Sequence, residues 1–134
     1  MRLEHVAIWT EQLEELKAFY ETYFGASANE KYVSDKEFKG WFSSYFLTFS
    51  SGARLEIMSL ASIPKGNTAG GYEQTGLTHI AFSVETKEEL DLLYERLKAD
   101  GVAIASVPRV TGDGYYETCV LDPDGNRVEI TVTP

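Results

Sequence analysis

The chain has little cysteine, few basic residues and no long hydrophobic run. Cys119 is the only cysteine among 134 residues, so no intrachain disulfide can form and we expect a reducing, cytoplasmic location. No stretch of about 18 apolar residues exists, and the N-terminus lacks the apolar segment of a signal peptide, so we expect no membrane partner. Lys and Arg number 12 against 21 Asp and Glu, for a net charge of −9. This charge repels phosphate backbones, so we expect no nucleic-acid partner.

The sequence is organised as two similar halves. Each half has a strand-like segment, an amphipathic helix, and further strand-like segments around a glycine turn. The turns at Ser51-Gly52 and Asp124-Gly125 are 73 residues apart. We predict an α+β fold in which residues 1–134 form one domain, with two tandem βαβββ modules at about 1–60 and 77–134 and a linker at 61–76. The modules are expected to form a curved mixed sheet around a central metal site.

Periodicity and turn chemistry predict the element boundaries. Apolar residues at helical spacing begin at Leu13, and Gly25 is placed to end this first helix. Thr86 followed by Glu89 predicts a capping box for the second helix, which Gly101 closes. A loop is expected through Pro108. The predicted strands lie at 1–9, 31–33, 41–49, 53–59, 76–84, 102–107, 115–121 and 127–133.

The only two histidines and two of the glutamates lie on the internal repeat. His5 and His79 are 74 positions apart, and Glu56 and Glu129 are 73 apart. A single strand histidine, or a glutamate between two apolar residues, is more often structural than functional. Here all four match within one repeat, and imidazole and carboxylate are good ligands for first-row divalent ions. The four residues therefore predict one metal site with coordination positions left open for catalysis.

This arrangement resembles the vicinal oxygen chelate superfamily, which includes glyoxalase I, extradiol dioxygenases, methylmalonyl-CoA epimerase, fosfomycin-resistance enzymes and bleomycin-binding proteins. The resemblance covers nearly the whole chain, and the turn at 122–126 that leads into Glu129 is typical of it. The ligand order His, Glu, His, Glu is most similar to the small glyoxalase I type. Extradiol dioxygenases and fosfomycin-resistance enzymes typically have a His-His-Glu ligand triad. They lack an acidic ligand at the position that corresponds to Glu56.

The resemblance implies a lyase or isomerase that moves a proton next to a carbonyl chelated by one divalent ion, which could be Ni, Co, Zn, Mn or Fe. Glu129 would be the general base and acid, with Glu56 as the alternative. The resemblance also implies a homodimer, with the site formed within one chain or across two. A metal-dependent dioxygenase and a non-enzymatic protein that sequesters a small antibiotic or toxin are the competing functions, which metal content and oxygen consumption would separate.

Two positions depart from the glyoxalase I pattern and bear on the substrate. Trp9 stands where that pattern has an Arg that helps to hold glutathione, and Leu60 stands where it has an Asn. These departures argue against glutathione as co-substrate and leave a small oxygenated compound as the expected substrate. Arg54 and Arg127 could each bind a substrate anion or pair with an acid. Strand alternation predicts four substrate-binding residues on the faces of the ligands: Trp9, Arg54, Met58 and Arg127. Strand aromatics could line a cavity: Trp41, Phe42, Tyr45, Tyr115 and Tyr116.

Overall fold

The structure is a computed structural model that describes residues 3–35, 41–61, 63 and 77–132. The chain divides into two compact units, unit 1 (Met1–Gly66) and unit 2 (Asn67–Pro134). Each unit contains one helix and one mixed sheet within its described residues, which confirms the predicted α+β fold of two βαβββ modules. The single domain and its module limits stay predictions. Most of the predicted linker, 61–76, lies outside the described residues.

In unit 1, one helix packs on one face of a five-stranded sheet. The elements are β1 (Val6–Trp9), α1 (Leu13–Phe24), β2 (Ser27–Ala28), β3 (Tyr32–Ser34), β4 (Phe42–Thr48) and β5 (Arg54–Leu60). β1 runs parallel to β5, and β4 pairs antiparallel with β5 across the turn at Gly52, whose φ of 86° suits a residue without a side chain. The two short strands β2 and β3 both pair with β4.

Helix α1 covers one face of this sheet and leaves the other to the candidate site. It contacts β4 and β5, where Leu47, Leu55 and Ile57 are buried. Successive strand side chains point to opposite faces, so Phe46 and Glu56 lie on the face away from the helix.

Unit 2 contains one helix and four strands within its described residues: β6 (His79–Val84), α2 (Lys87–Ala99), β7 (Ile104–Val110), β8 (Tyr116–Leu121) and β9 (Arg127–Val132). Helix α2 packs on a sheet of order β6-β9-β8-β7, with β6 parallel to β9. Val128 and Ile130 of β9 are fully buried, which places Glu129 between them on the opposite face. No helix in the described part of the chain is long and apolar enough to cross a membrane.

The ends of the helices follow the sequence signals, whereas two strands depart from the predictions: β2 was not predicted, and β7 is longer than predicted. The Thr86 hydroxyl accepts a hydrogen bond from the Glu89 N–H at 3.2 Å, as the capping box predicts. The prediction that the chain leaves the strand at Pro108 is wrong, because β7 continues to Val110. The pairing of β7 with β8 shifts register between Ser106 and Arg109. This irregular stretch accommodates a proline, which has no N–H for a regular ladder.

Candidate metal centre and pocket

Unit 1 brings the first predicted ligand pair together. His5 immediately precedes β1, and Glu56 lies on β5 opposite Ala7. The parallel pairing of these strands leaves Nε2 of His5 3.6 Å from Oε2 of Glu56. The side chains are 35% and 16% exposed, so both are partly shielded but in contact with solvent.

Unit 2 builds the second pair in the same way. Glu129 on β9 lies opposite Ala81 on β6, and His79 lies two residues before that alanine, as His5 lies two residues before Ala7. Nε2 of His79 is 3.3 Å from Oε2 of Glu129. The repeat in the sequence is therefore also a repeat in strand register.

The separations within the two pairs suit ligands of one cation. Imidazole nitrogen and carboxylate oxygen lie about 2.0–2.2 Å from an ion such as Zn²⁺. Two such ligand atoms on one ion are therefore about 3.0 Å apart when the ligand–ion–ligand angle is about 90°, and about 3.4 Å apart at the tetrahedral angle. The observed separations are 3.6 and 3.3 Å. Within residues 3–35, 41–61, 63 and 77–132, no group of three or more His, Cys, Asp or Glu is gathered for a metal ion. Each unit thus supplies two donors that fit a divalent ion, and the common site of all four stays a prediction.

Glu4 holds the second ring nitrogen of His5. Nδ1 of His5 and Nη1 of Arg54 both donate to the Glu4 carboxylate. These hydrogen bonds, first from His5 and then from Arg54, keep the pKa of Glu4 below its usual value. An ionised carboxylate only accepts hydrogen bonds, so in this contact Nδ1 of His5 is the donor, and Nε2 faces Glu56. Arg54 therefore pairs with a surface acid, which is one of its two predicted uses.

An open pocket of about 680 Å³ lies beside Glu56 on the face of the sheet away from α1. Phe42, Ser44 and Phe46 line it from alternate positions of β4, and Met58 follows Glu56 by two positions on β5. Met58 is the predicted substrate-binding residue that lines this pocket. The complete lining is Asn29, Tyr32, Phe42, Ser44, Phe46, Glu56 and Met58.

The other predicted substrate-binding residues lie outside this lining. Trp9 packs edge-on against Phe42, with ring centroids 6.1 Å apart. Arg54 places its guanidinium carbon 4.0 Å from the centroid of the Phe46 ring. Arg127 lies in unit 2 opposite His79, and no carboxylate within the described residues forms an ion pair with it.

Most of the strand aromatics expected at a cavity have other positions. The Tyr45 hydroxyl donates to Glu14 of α1 at 3.2 Å, and the Tyr116 hydroxyl donates to Asp91 of α2 at 2.6 Å. These two side chains therefore belong to the helix-facing sides of their sheets. Trp41 is 66% exposed.

Sequence reasoning missed several residues of the pocket. The pairing of Phe46 with Glu56 follows from the hairpin register around Gly52, so counting back from that turn would have found Phe46. Asn29 and Tyr32 had no comparable signal, because they lie in a polar segment of mixed composition. Asn29 reaches the pocket through two hydrogen bonds with Phe46: its N–H donates to the Phe46 carbonyl at 3.1 Å, and its Oδ1 accepts from the Phe46 N–H at 2.7 Å.

Several known proteins are similar to this chain over nearly its whole length. A family model described as Glyoxalase/Bleomycin resistance protein/Dioxygenase superfamily matches residues 2–130. The uncharacterized protein YqjT of Bacillus subtilis is 25% identical over 131 residues, which cover 96% of each chain.

Solved structures share the fold. A glyoxalase family protein from Bacillus cereus superimposes with a TM-score of 0.82 at 18% identity, covering 98% of this chain and 93% of that one. A glyoxalase family protein from Enterococcus faecalis has a TM-score of 0.73 at 27% identity, covering 97% and 96%. A mutant of the fosfomycin resistance protein FosX from Listeria monocytogenes, complexed with Mn(II) and 1S,2S-dihydroxypropylphosphonic acid, has a TM-score of 0.71 at 23% identity, covering 99% and 93%.

Proposed function

Because the chain belongs to the glyoxalase/bleomycin resistance protein/dioxygenase superfamily, we propose that it is a metal-dependent lyase or isomerase that transfers a proton next to a carbonyl group. Superfamily members bind a divalent metal ion and small-molecule substrates, and the FosX structure contains Mn(II). The observation that carries the proposal is the repeated His–Glu pair. In both units the pair has the same strand register and a nitrogen–oxygen separation that suits one cation.

The four paired side chains have separate roles in this proposal. His5 and His79 would bind the ion through Nε2, and Glu56 and Glu129 through a carboxylate oxygen. A bound Ni, Co, Zn, Mn or Fe ion would act as a Lewis acid toward the carbonyl oxygen of the substrate. Glu129 would accept the proton from the neighbouring carbon and return it, and Glu56 is the alternative base. Superfamily members commonly form dimers, and we propose a homodimer for this chain.

A protein that sequesters a small compound without turnover is the second candidate. The aromatic lining of the unit 1 pocket favours it, because a binding protein needs contact area rather than a reacting group. A phosphonate such as the one in the FosX structure suits this pocket poorly. No Lys or Arg is among the lining residues in the described part of the chain.

Deuterium exchange tests the proposed chemistry without knowledge of the natural substrate. 2-Hydroxyacetophenone has neighbouring carbonyl and hydroxyl oxygens and a CH₂ group beside the carbonyl. In D₂O, the protein loaded with each candidate metal in turn should catalyse exchange of deuterium into this CH₂ group, as followed by proton NMR. Failure of exchange with every metal, in a protein that also binds no metal, would favour sequestration.

A further inference from the structure

The pocket of unit 1 has the size and lining of a site for a ring. Its volume of about 680 Å³ falls inside the range of small-molecule sites, roughly 300–1,000 Å³. Tyr32, Phe42 and Phe46 contribute aromatic rings, and Met58 contributes a polarisable thioether. Phe42 is only 5% exposed and packs against Tyr32 with ring centroids 6.0 Å apart. The aromatic wall is therefore held in place by its own contacts.

The charges of the pocket disfavour an anion. Among the described residues of the lining, Glu56 is the only one with a carboxyl group. The described cations nearest in sequence to the lining residues have partners: Arg54 pairs with Glu4, and Lys31 pairs with Glu14 at 2.8 Å. A carboxylate or phosphonate placed among these aromatic rings would lose hydration and meet the like charge of Glu56, which is unfavourable on both counts.

Two neutral polar groups remain available to orient a ligand. The Oδ1 atom of Asn29 is occupied by the Phe46 N–H at 2.7 Å, which leaves the amide NH₂ group without an acceptor in the described residues. Ser44 contributes a hydroxyl from a residue that is 3% exposed. Both groups can donate to a neutral oxygen of a ligand.

We propose that this pocket binds an uncharged, ring-bearing end of the substrate and places the oxygen-bearing end at Glu56. The substrate is then an uncharged aromatic or cyclic hydroxycarbonyl compound. This inference rests on the proposed function only for the role of Glu56 at the reacting end, because binding of the ring requires no turnover.

Calorimetric titration of the full-length protein, with and without Ni²⁺, tests the inference with three probes. 2-Hydroxyacetophenone is uncharged and has a ring, 4-(hydroxyacetyl)benzoate adds a carboxylate at the far end of that ring, and hydroxyacetone has no ring. We expect 2-hydroxyacetophenone to bind at least tenfold more tightly than either of the others. Equal affinity for the benzoate would overturn the preference for an uncharged end, and equal affinity for hydroxyacetone would overturn the role of the ring.

Two neighbouring residues of β3 provide a matched pair of variants. Tyr32 and Val33 are 49% and 50% exposed, and their side chains point to opposite faces of the sheet. Tyr32→Ala should weaken binding of 2-hydroxyacetophenone about three- to tenfold, as expected for the loss of one aromatic contact, and leave hydroxyacetone unaffected. Val33→Ala should leave both affinities unchanged. Equal losses in the two variants would count against the pocket.

A third variant reverses the charge preference. Met58→Lys introduces a cation into the lining and should make 4-(hydroxyacetyl)benzoate bind more tightly than 2-hydroxyacetophenone. If the preference for the uncharged probe is unchanged, the ring does not lie in this pocket. Circular dichroism of each variant verifies that it is folded.

The two experiments distinguish failure of the proposed ring site from failure of the proposed reaction. Ring-selective binding without deuterium exchange would support the ring site and contradict the isomerase activity. Exchange into hydroxyacetone as fast as into 2-hydroxyacetophenone, without ring-selective binding, would support the isomerase activity and contradict the ring site.

Discussion

His5 donates a hydrogen bond from Nδ1 to the carboxylate of Glu4, and this contact turns Nε2 of the ring toward Glu56. The residue at the equivalent position in unit 2 is Thr78, which directly precedes His79. The two His–Glu pairs match in strand register, but among the described residues only the first imidazole has a carboxylate at Nδ1. Carboxylates that orient a metal-binding histidine typically change metal affinity 10- to 100-fold when they are removed.

Replacing Glu4 should therefore weaken metal binding. We expect Glu4→Gln to raise the dissociation constant for Ni²⁺ or Zn²⁺ about tenfold, because the amide no longer selects the tautomer with the proton on Nδ1. Glu4→Asp should restore part of the affinity. Competition with a chromophoric chelator measures the constants, and Thr78→Ala is the control at the equivalent position. An unchanged constant in Glu4→Gln would show that His5 is positioned without Glu4.

Metal stoichiometry tests whether the two pairs bind one ion. Elemental analysis of the metal-loaded protein should give one ion per chain, and His5→Ala and His79→Ala should each lose most of it. Metal at about 100 times its dissociation constant should add roughly 2.7 kcal/mol to the free energy of unfolding in urea. The double variant should gain nothing. Two ions per chain, each removed by one substitution alone, would mean that the pairs act separately.

The two glutamates should differ in their effect on turnover. We expect Glu129→Gln to slow deuterium exchange at least 100-fold, because the substitution removes the proposed general base. The metal content of this variant should fall by a smaller factor than its exchange rate. Glu56→Gln is the matched control, since it removes the same charge from the corresponding position of unit 1. It should slow exchange less at saturating metal. The opposite order would assign the proton transfer to Glu56.

The ion pair between Lys31 and Glu14 should make the stability of the protein depend on pH. The hydrogen bond from Lys31, with a smaller contribution from Tyr45, holds the pKa of Glu14 below its ordinary value of 4.5. A lowered carboxyl pKa contributes stability above the unfolded-state pKa, and this contribution is lost as the pH falls through the folded-state pKa. The Glu14 side chain is 55% exposed, so Glu14→Gln should lower the free energy of unfolding at pH 7 by only about 0.5 kcal/mol.

The difference between Glu14→Gln and the unmodified protein should disappear below the folded-state pKa of Glu14, which lies under 4.5. Urea unfolding at pH 7 and at successively lower pH values measures it. Glu15→Gln, an exposed neighbour on α1, controls for the change in net charge. A difference that persists unchanged at low pH would rule out the ion pair as its source.

Features that depend on the local order of residues along the chain could be predicted from the sequence alone. Helix α1 could be predicted because apolar residues at helical spacing end at Gly25, which adopts a φ of 65° that glycine tolerates. The faces of Glu56 and Glu129 could be predicted because side chains alternate along a strand. Both His–Glu pairs could be predicted because the duplication repeats their residues at nearly constant spacing.

Contacts between side chains from distant parts of the chain depend on how the strands pair in the folded protein. Glu4 and Arg54 are 50 residues apart and come into contact because β1 pairs in parallel with β5. Asn29 enters the pocket because its main chain and amide both pair with Phe46. Pro108 stays within a strand because the pairing with β8 shifts register around it. Strand pairing and register arise from contacts over the whole unit, and no local pattern of residues encodes them.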